Sequence, residues 1–225
     1  MDRHQALWDA RYERLARGDY DWRGEPWLLE WLSFVPRDVP QTALDIGCGP
    51  GDNARLLQEQ GFTVTAVDIS NQALALCRQR VPGARVAWAD VREGLPFAPE
   101  RFALIVADLS LHYFTWDTTV AVLAEVAGRL APGGLFAARF NSTNDTKHGA
   151  DSTERVLGET NLFLVEGAEK RFFSRDCFDR LFGPTWKVVA LTEKETSRFG
   201  SRKVVWEVVS TVCKATQDAA SALPP

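Results

Sequence analysis

Between residues 42 and 140, short apolar runs of strand length alternate with longer stretches of helical period. Thr42 to Ile46, Thr63 to Val67, Val86 to Ala89, Phe102 to Ala107 and Leu135 to Phe140 read as strands. Asp52 to Gln60 reads as a helix with Gly61 just past its end. Ser70 caps a predicted helix running to Gln79, and Asp117 caps another running to Leu130. Pro132-Gly133-Gly134 is a turn signal before the fifth strand. Strands alternating with helices predict an α/β fold built on a largely parallel sheet.

The flanks have a different rhythm. Asp2 to Arg17 is predicted helical, with Ala6, Leu7, Trp8, Tyr12 and Leu15 on a broad apolar face. Gly18 to Gly24 is a polar break. Pro26 then opens a second predicted helix carrying Trp27, Leu28, Trp31 and Leu32, followed by a linker from Pro36 to Pro40. Residues 1–40 either pack on the sheet or form a lid whose aromatics, Trp22 among them, face a substrate. After the fifth strand, Asn141 to Thr160 is polar and irregular. Asn161 to Val165 and Lys170 to Phe173 flank Glu166-Gly167, which can turn a hairpin. An insertion of this length, residues 141–173, is expected at an active site. Ser174 begins a short helix ending near Gly183-Pro184. Thr185 to Leu191 and Lys203 to Val212 have no helix between them and are predicted to pair antiparallel. The expected organisation is one domain over residues 1–213 and a disordered tail over 214–225.

Bulk composition narrows the function classes. A length of 225 residues with 45% hydrophobic content fits one domain with a real core. Net charge is -4 and the sequence pI about 5.5, which argues against a nucleic acid partner. Cys48, Cys77, Cys177 and Cys213 form no C-x-x-C pair, so reduced thiols in a cytoplasmic protein are expected. The charged N-terminus lacks an apolar signal core, and no apolar run is long enough for a membrane span. Oligomeric state is left open.

The most informative stretch is Ala43 to Gly51, ALDIGCGPG. A strand ending in alternating glycines, Gly47, Gly49 and Gly51, lets a ligand approach the backbone where a side chain would block it. Asp45, two residues before the first glycine, calls for a ligand with a positive or hydrogen-bond-donating end. Asp68 ends the second strand and Asp90 the third, so the three acids converge where open α/β sheets bind ligands. A dinucleotide G-x-G-x-x-G fingerprint needs glycine where Asp52 stands, which disfavours a nicotinamide oxidoreductase.

This arrangement resembles the first motif of class I S-adenosylmethionine-dependent methyltransferases. The resemblance implies a Rossmann-like, mostly parallel seven-stranded sheet with helices on both faces and an antiparallel C-terminal hairpin. It implies S-adenosyl-L-methionine as cofactor. Asp45, Gly47, Cys48, Gly49 and Gly51 would meet its methionyl part, Asp68 and Ile69 its ribose and adenine, Asp90 and Val91 its adenine, and Asp108 would lie near the methyl. WDARYER and DYDWRGEPW are loosely similar to the N-terminal segment of the tellurite-resistance and thiopurine methyltransferase branch, which takes small, soft acceptor atoms. The implied function is methyl transfer to a small molecule. A non-catalytic S-adenosylmethionine sensor would keep the same acids and is the alternative.

Candidates on the acceptor side follow the fourth strand and lie in the insertion. His112 can be a general base or can hydrogen-bond its own loop. Tyr113 can close the pocket or simply pack. Trp22, Arg139, Asn141 and Arg171 are candidates for holding a polar or anionic acceptor, with an ion pair the alternative for Arg139 and a solvated side chain for Arg171. No Asn/Asp-Pro-Pro-aromatic clamp follows Asp108, and Asp108 with Asn141 is too few oxygens for a hard cation, so no metal is expected.

Overall fold

Seven strands form the central sheet in the order β3-β2-β1-β4-β5-β9-β8. They are β1 (Thr42–Ile46), β2 (Thr63–Asp68), β3 (Arg85–Trp88), β4 (Phe102–Asp108), β5 (Leu130–Asn141), β8 (Trp186–Thr196) and β9 (Lys203–Val212). The computed structural model describes residues 3–18, 25–98, 100–197 and 201–213. The predicted tail and the aromatics Tyr20 and Trp22 lie outside the described residues. The first five strands pair in parallel, whereas β9 runs antiparallel between β5 and β8.

The parallel strands are apolar on both faces because helices cover both. Leu44, Ile46, Ile105, Ala107, Phe136 and Phe140 point to one core. Ala43, Val64, Ala66, Val106 and Leu135 point to the other. α4 (Trp116–Arg129) lays Val122, Leu123 and Val126 on the first core. α2 (Asp52–Glu59) and α3 (Asn71–Arg80) contribute Ala54, Leu57, Leu74 and Cys77 to the second. α1 (Arg3–Ala16) packs on α3. The chain leaves β3 at one edge and returns to β4 beside β1, so the sheet reverses direction between β1 and β4. Ligands bind at such a switch point, outside the carboxyl ends of the strands.

Beyond the sheet, β6 (Leu162–Val165) and β7 (Ala168–Arg171) form the inserted hairpin. Glu166 at φ 52 and Gly167 at φ 79 give it a left-handed two-residue turn, which matches the twist of its strands. β7 lies two residues earlier than the predicted Lys170-to-Phe173 strand. α5 (Arg175–Leu181) follows, close to prediction.

Three sequence expectations need correction. The second N-terminal helix is a set of turns ending in a 3-10 helix over Leu32–Phe34. Pro36 holds Val35 extended at ψ 129, which leaves too few residues for a stable α-helix. The cap of α4 is Thr115, whose hydroxyl accepts from the Thr118 N–H, and Asp117 sits in the first turn. Pro132-Gly133-Gly134 lies within β5 as a register irregularity against β4. Gly134 is required there, because a Cβ would lie 3.0 Å from the carbonyls of Phe102, Ala103 and Ala131.

Thr115→Ala should lower unfolding free energy by about 1 kcal/mol, the usual worth of an N-cap. Urea denaturation checks this, and Asp117→Ala should cost less.

Candidate active site

The switch point opens into a cavity of about 760 Å³. That volume suits a cofactor-sized ligand with room for a small second molecule. Its floor is the loop after β1. The N–H groups of Gly47 and Cys48 both donate to the Val67 carbonyl, at 2.8 and 3.0 Å, and so bind the loop to the end of β2. Gly47 at φ 66 and Gly49 at φ 53 need left-handed backbone. A Cβ on Gly47 would collide with Ser110, and one on Gly49 would lie 2.7 Å from the Tyr12 hydroxyl oxygen.

Asp68 lies beside this floor. Its carboxylate accepts from the Gly49 N–H at 2.9 Å and the Ser70 N–H at 2.8 Å. Burial pushes its pKa up to about 6, and backbone N–H groups of Ser70, Gly49 and Ile69 offset only part of that rise. Asp90 is gripped by the Arg92 guanidinium at 2.6 Å. Cys48, Ile69 and Val91 also line the cavity. Asp45 and Gly51 are outside the lining. Asp45 is buried within β1, and Gly51 at φ 91 packs its α-carbon against Cys77 and Val81 on α3.

The loop after β4 forms the opposite wall. Ser110 donates to the Ile46 carbonyl at 2.7 Å, and Leu109 takes a left-handed φ of 57. Asp108 forms a two-pronged ion pair with Arg139 at 2.6 and 2.9 Å, and Asn53 donates to it at 3.2 Å. Arg139 also donates to Glu25 at 2.7 Å and lies 4.8 Å from the Trp27 ring centroid. Its donors are thus turned to Asp108 and Glu25, and it lies outside the lining, as its ion-pair alternative anticipated. Arg171 is also buried outside the lining. It bonds Glu159 and the carbonyls of Thr160 and Phe114, and its N–H donates to the His112 carbonyl at 2.7 Å. The hairpin thereby straps down the loop bearing His112 and Tyr113.

His112 and Asn141 do reach the cavity. His112 is held neutral at pH 7, because burial, then Lys203 and Lys170, push its pKa well below the usual range. Its Nδ1 is buried without a hydrogen-bond partner among the described residues. Asn141 is wholly buried, and neither its amide nitrogen nor its amide oxygen has such a partner. Tyr113 packs edge-on to Trp8 with ring centroids 5.0 Å apart, and burial raises its pKa.

α1 forms the roof. Asp9 accepts from the Ser70 hydroxyl at 2.7 Å and the Gln72 N–H at 3.1 Å, which seats α1 over the start of α3. Arg11 reaches Glu166 at the hairpin tip at 3.1 Å. The sequence reading missed Lys170 and Lys203, which also line the cavity. The signal available for Lys170 was strand alternation: placing the hairpin strand correctly puts Arg171 and Lys170 on opposite faces.

Residues 43–134 match the family described as Methyltransferase domain. This part of the chain, under half of its length, is similar to a methyltransferase domain. It contains the glycine floor, Asp68, Asp90 and the loop after β4, while the roof and the hairpin lie outside it. The fold is that of class I S-adenosylmethionine-dependent methyltransferases. The chain is 34% identical over 134 residues to a trans-aconitate 2-methyltransferase of Delftia acidovorans, covering 58% of this chain and 47% of that protein. It is 31% identical over 136 residues to a malonyl-[acyl-carrier protein] O-methyltransferase of Enterobacter lignolyticus, covering 60% and 50%. The chain thus spans about half the length of the curated relatives it matches. An S-adenosylmethionine-dependent methyltransferase from Clostridium acetobutylicum shares the fold with TM-score 0.65 at 19% identity, covering 90% of this chain and 96% of that one. Among the described residues, no cluster of side chains could hold a metal and no helix is long and apolar enough to cross a membrane.

Asp68 makes the stability of the fold pH-dependent. Its carboxyl keeps its proton to about pH 6 when folded, against 3.8 in the ordinary group. The stabilisation is therefore full below the unfolded value and lost as pH rises through about 6. Without ligand, the melting temperature should fall between about pH 4 and 6. Asp68→Asn should flatten that slope in thermal melts.

Proposed function

We propose that the chain is an S-adenosylmethionine-dependent methyltransferase acting on a small molecule. The observation that carries this reading is the pairing of the left-handed glycine floor with a buried, part-satisfied carboxylate at Asp68. Ribose hydroxyls are donors, and a carboxylate offers about four lone-pair sites, so Asp68 retains acceptor capacity beyond its bonds to Gly49, Ser70 and Ile69. Gly47 and Gly49 line the cavity and let Ser110 and Tyr12 close directly on the loop, which leaves its backbone to meet the methionyl part. Ile69, Ala89 and Val91 offer apolar wall for the adenine, with Asp90 beside them. Asp45, beyond the lining, would act on the cofactor ammonium through the floor, and Asp108, which lines the cavity while paired to Arg139, through the field of the site.

The bound cofactor supplies a methyl group already activated on a positive sulfur. What remains for the chain is alignment, exclusion of water and, for some acceptors, removal of a proton. Alignment alone is worth roughly 7–11 kcal/mol of barrier. Residues 3–16, bridged to the hairpin by Arg11 and Glu166, serve as the lid that excludes water. Trp8, Arg11 and Tyr12 come from the WDARYER segment and line the cavity. Their position supports the reading in which the small, soft acceptors of the tellurite-resistance and thiopurine branch are the rival substrates.

Asp68→Ala should weaken S-adenosylmethionine binding by on the order of a hundredfold, since hydrogen bonds to a charged group are worth roughly 1.5–3 kcal/mol each. Calorimetry reads this directly; unchanged affinity would remove Asp68 from the site. Because ribose donors favour the ionised carboxylate, wild-type affinity should also decline below about pH 6.

A further inference from the structure

Acids and lysines reach the cavity from different elements. Asp68 and Asp90 line it, as do Lys170 and Lys203, with Asn141 and His112 on the same cavity. Lys203 is matched, since its ammonium contacts Asp145 at 2.9 Å. Lys170 is not. Its side chain is nine-tenths buried, its contact with Glu166 is 3.8 Å long and mostly exposed, and Asp145, which also attracts it, is already bound to Lys203. Burial pushes its pKa down to about 8, so it remains largely charged at neutral pH. A buried ammonium without a hydrogen-bonded counter-ion is costly. Asn141 adds a buried amide with both polar atoms open. Asn141 has no partner among the described residues and Lys170 only a loose, exposed one, and both are explained by a ligand that brings negative oxygens.

Resting on the methyltransferase reading, we infer that the acceptor is a small carboxylic acid, held by Lys170 and Asn141 and methylated on a carboxylate oxygen. The lone pair of that oxygen forms the new bond to the methyl carbon as the carbon–sulfur bond breaks and its electrons stay on sulfur. A carboxylate and a sulfonium become a methyl ester and a neutral thioether. No proton moves, so no base is needed. This agrees with His112, whose depressed basicity suits it poorly to deprotonating an alcohol or phenol. An acceptor already ionised at neutral pH avoids that step. The Lys170 ammonium contributes charge matching and the Asn141 amide a directional donor.

The test incubates the full chain with methyl-labelled S-adenosylmethionine and a panel of acceptors. The panel holds short aliphatic di- and tricarboxylic acids, a benzoic acid, their primary amides, an alkyl thiol and a phenol. Label should enter one or more acids as an alkali-labile ester and leave the amides unlabelled. Lys170→Met should raise the acceptor KM by roughly tenfold to a hundredfold, consistent with losing a charged hydrogen bond. Its cofactor affinity should be unchanged, and Lys170→Arg should restore most of the loss. Asn141→Ala provides a second variant if Lys170→Met fails to fold by thermal melting. Label in the thiol or phenol but no acid overturns the inference, as does an unchanged KM in folded Lys170→Met. A chain that binds S-adenosylmethionine yet esterifies no acid overturns the inference and leaves the proposed function standing. A chain that does not bind it overturns both.

Discussion

One carboxylate holds the site together. Asp68 sits at the end of β2, yet it binds the glycine loop through Gly49 and the start of α3 through Ser70. Ser70 in turn caps α3 through the Ala73 N–H and donates to Asp9 of α1. Four separate pieces of the chain therefore converge on two residues separated by one position. Backbone groups at the end of a strand and the start of a helix lack partners within their own elements. Here they satisfy one another across elements, with the acid in the middle.

A second buried acid organises the other wall. The Asp108–Arg139 pair has both side chains almost fully buried, an arrangement stable only with good geometry and additional hydrogen bonds. Asn53 and Glu25 supply those, and Trp27 donates to Asn53 at 3.2 Å. The short N-terminal turns thus reach the centre of the sheet through polar contacts rather than through helix packing. Removing any member would leave a charge or amide buried without its partner.

The strand pattern was readable because both-face burial makes the parallel strands continuous apolar runs. β1, β2 and β4 start where the residues said they would, with ends differing by one residue at most. Asp68 and Asp90 were legible as strand-end acids by position, and both reach the cavity. Other features were not legible. Alternation puts Lys170 and Arg171 on opposite faces of the β6–β7 hairpin wherever the strand begins, and only the packing of the hairpin decides that Lys170 faces the cavity. Arg139 carries the same chemistry whether it meets a ligand or Asp108, and only the fold brings Asp108 and Glu25 to it. The turns at Trp27 to Trp31 were misread because apolar spacing suggested a helix, while Pro26 and Pro36 confine the segment between them. The openness of Asn141 is a property of its neighbours, which no local pattern encodes.

The bridge between Arg11 and Glu166 joins residues far apart in the chain across the mouth of the cavity, and Glu166 is largely exposed. Such a contact is worth about 0–1 kcal/mol and weakens with dissolved ions. The roof is therefore a light catch rather than a seal. Rising ionic strength loosens this catch at the hairpin, while Asp9 still ties the helix to Ser70 and Gln72.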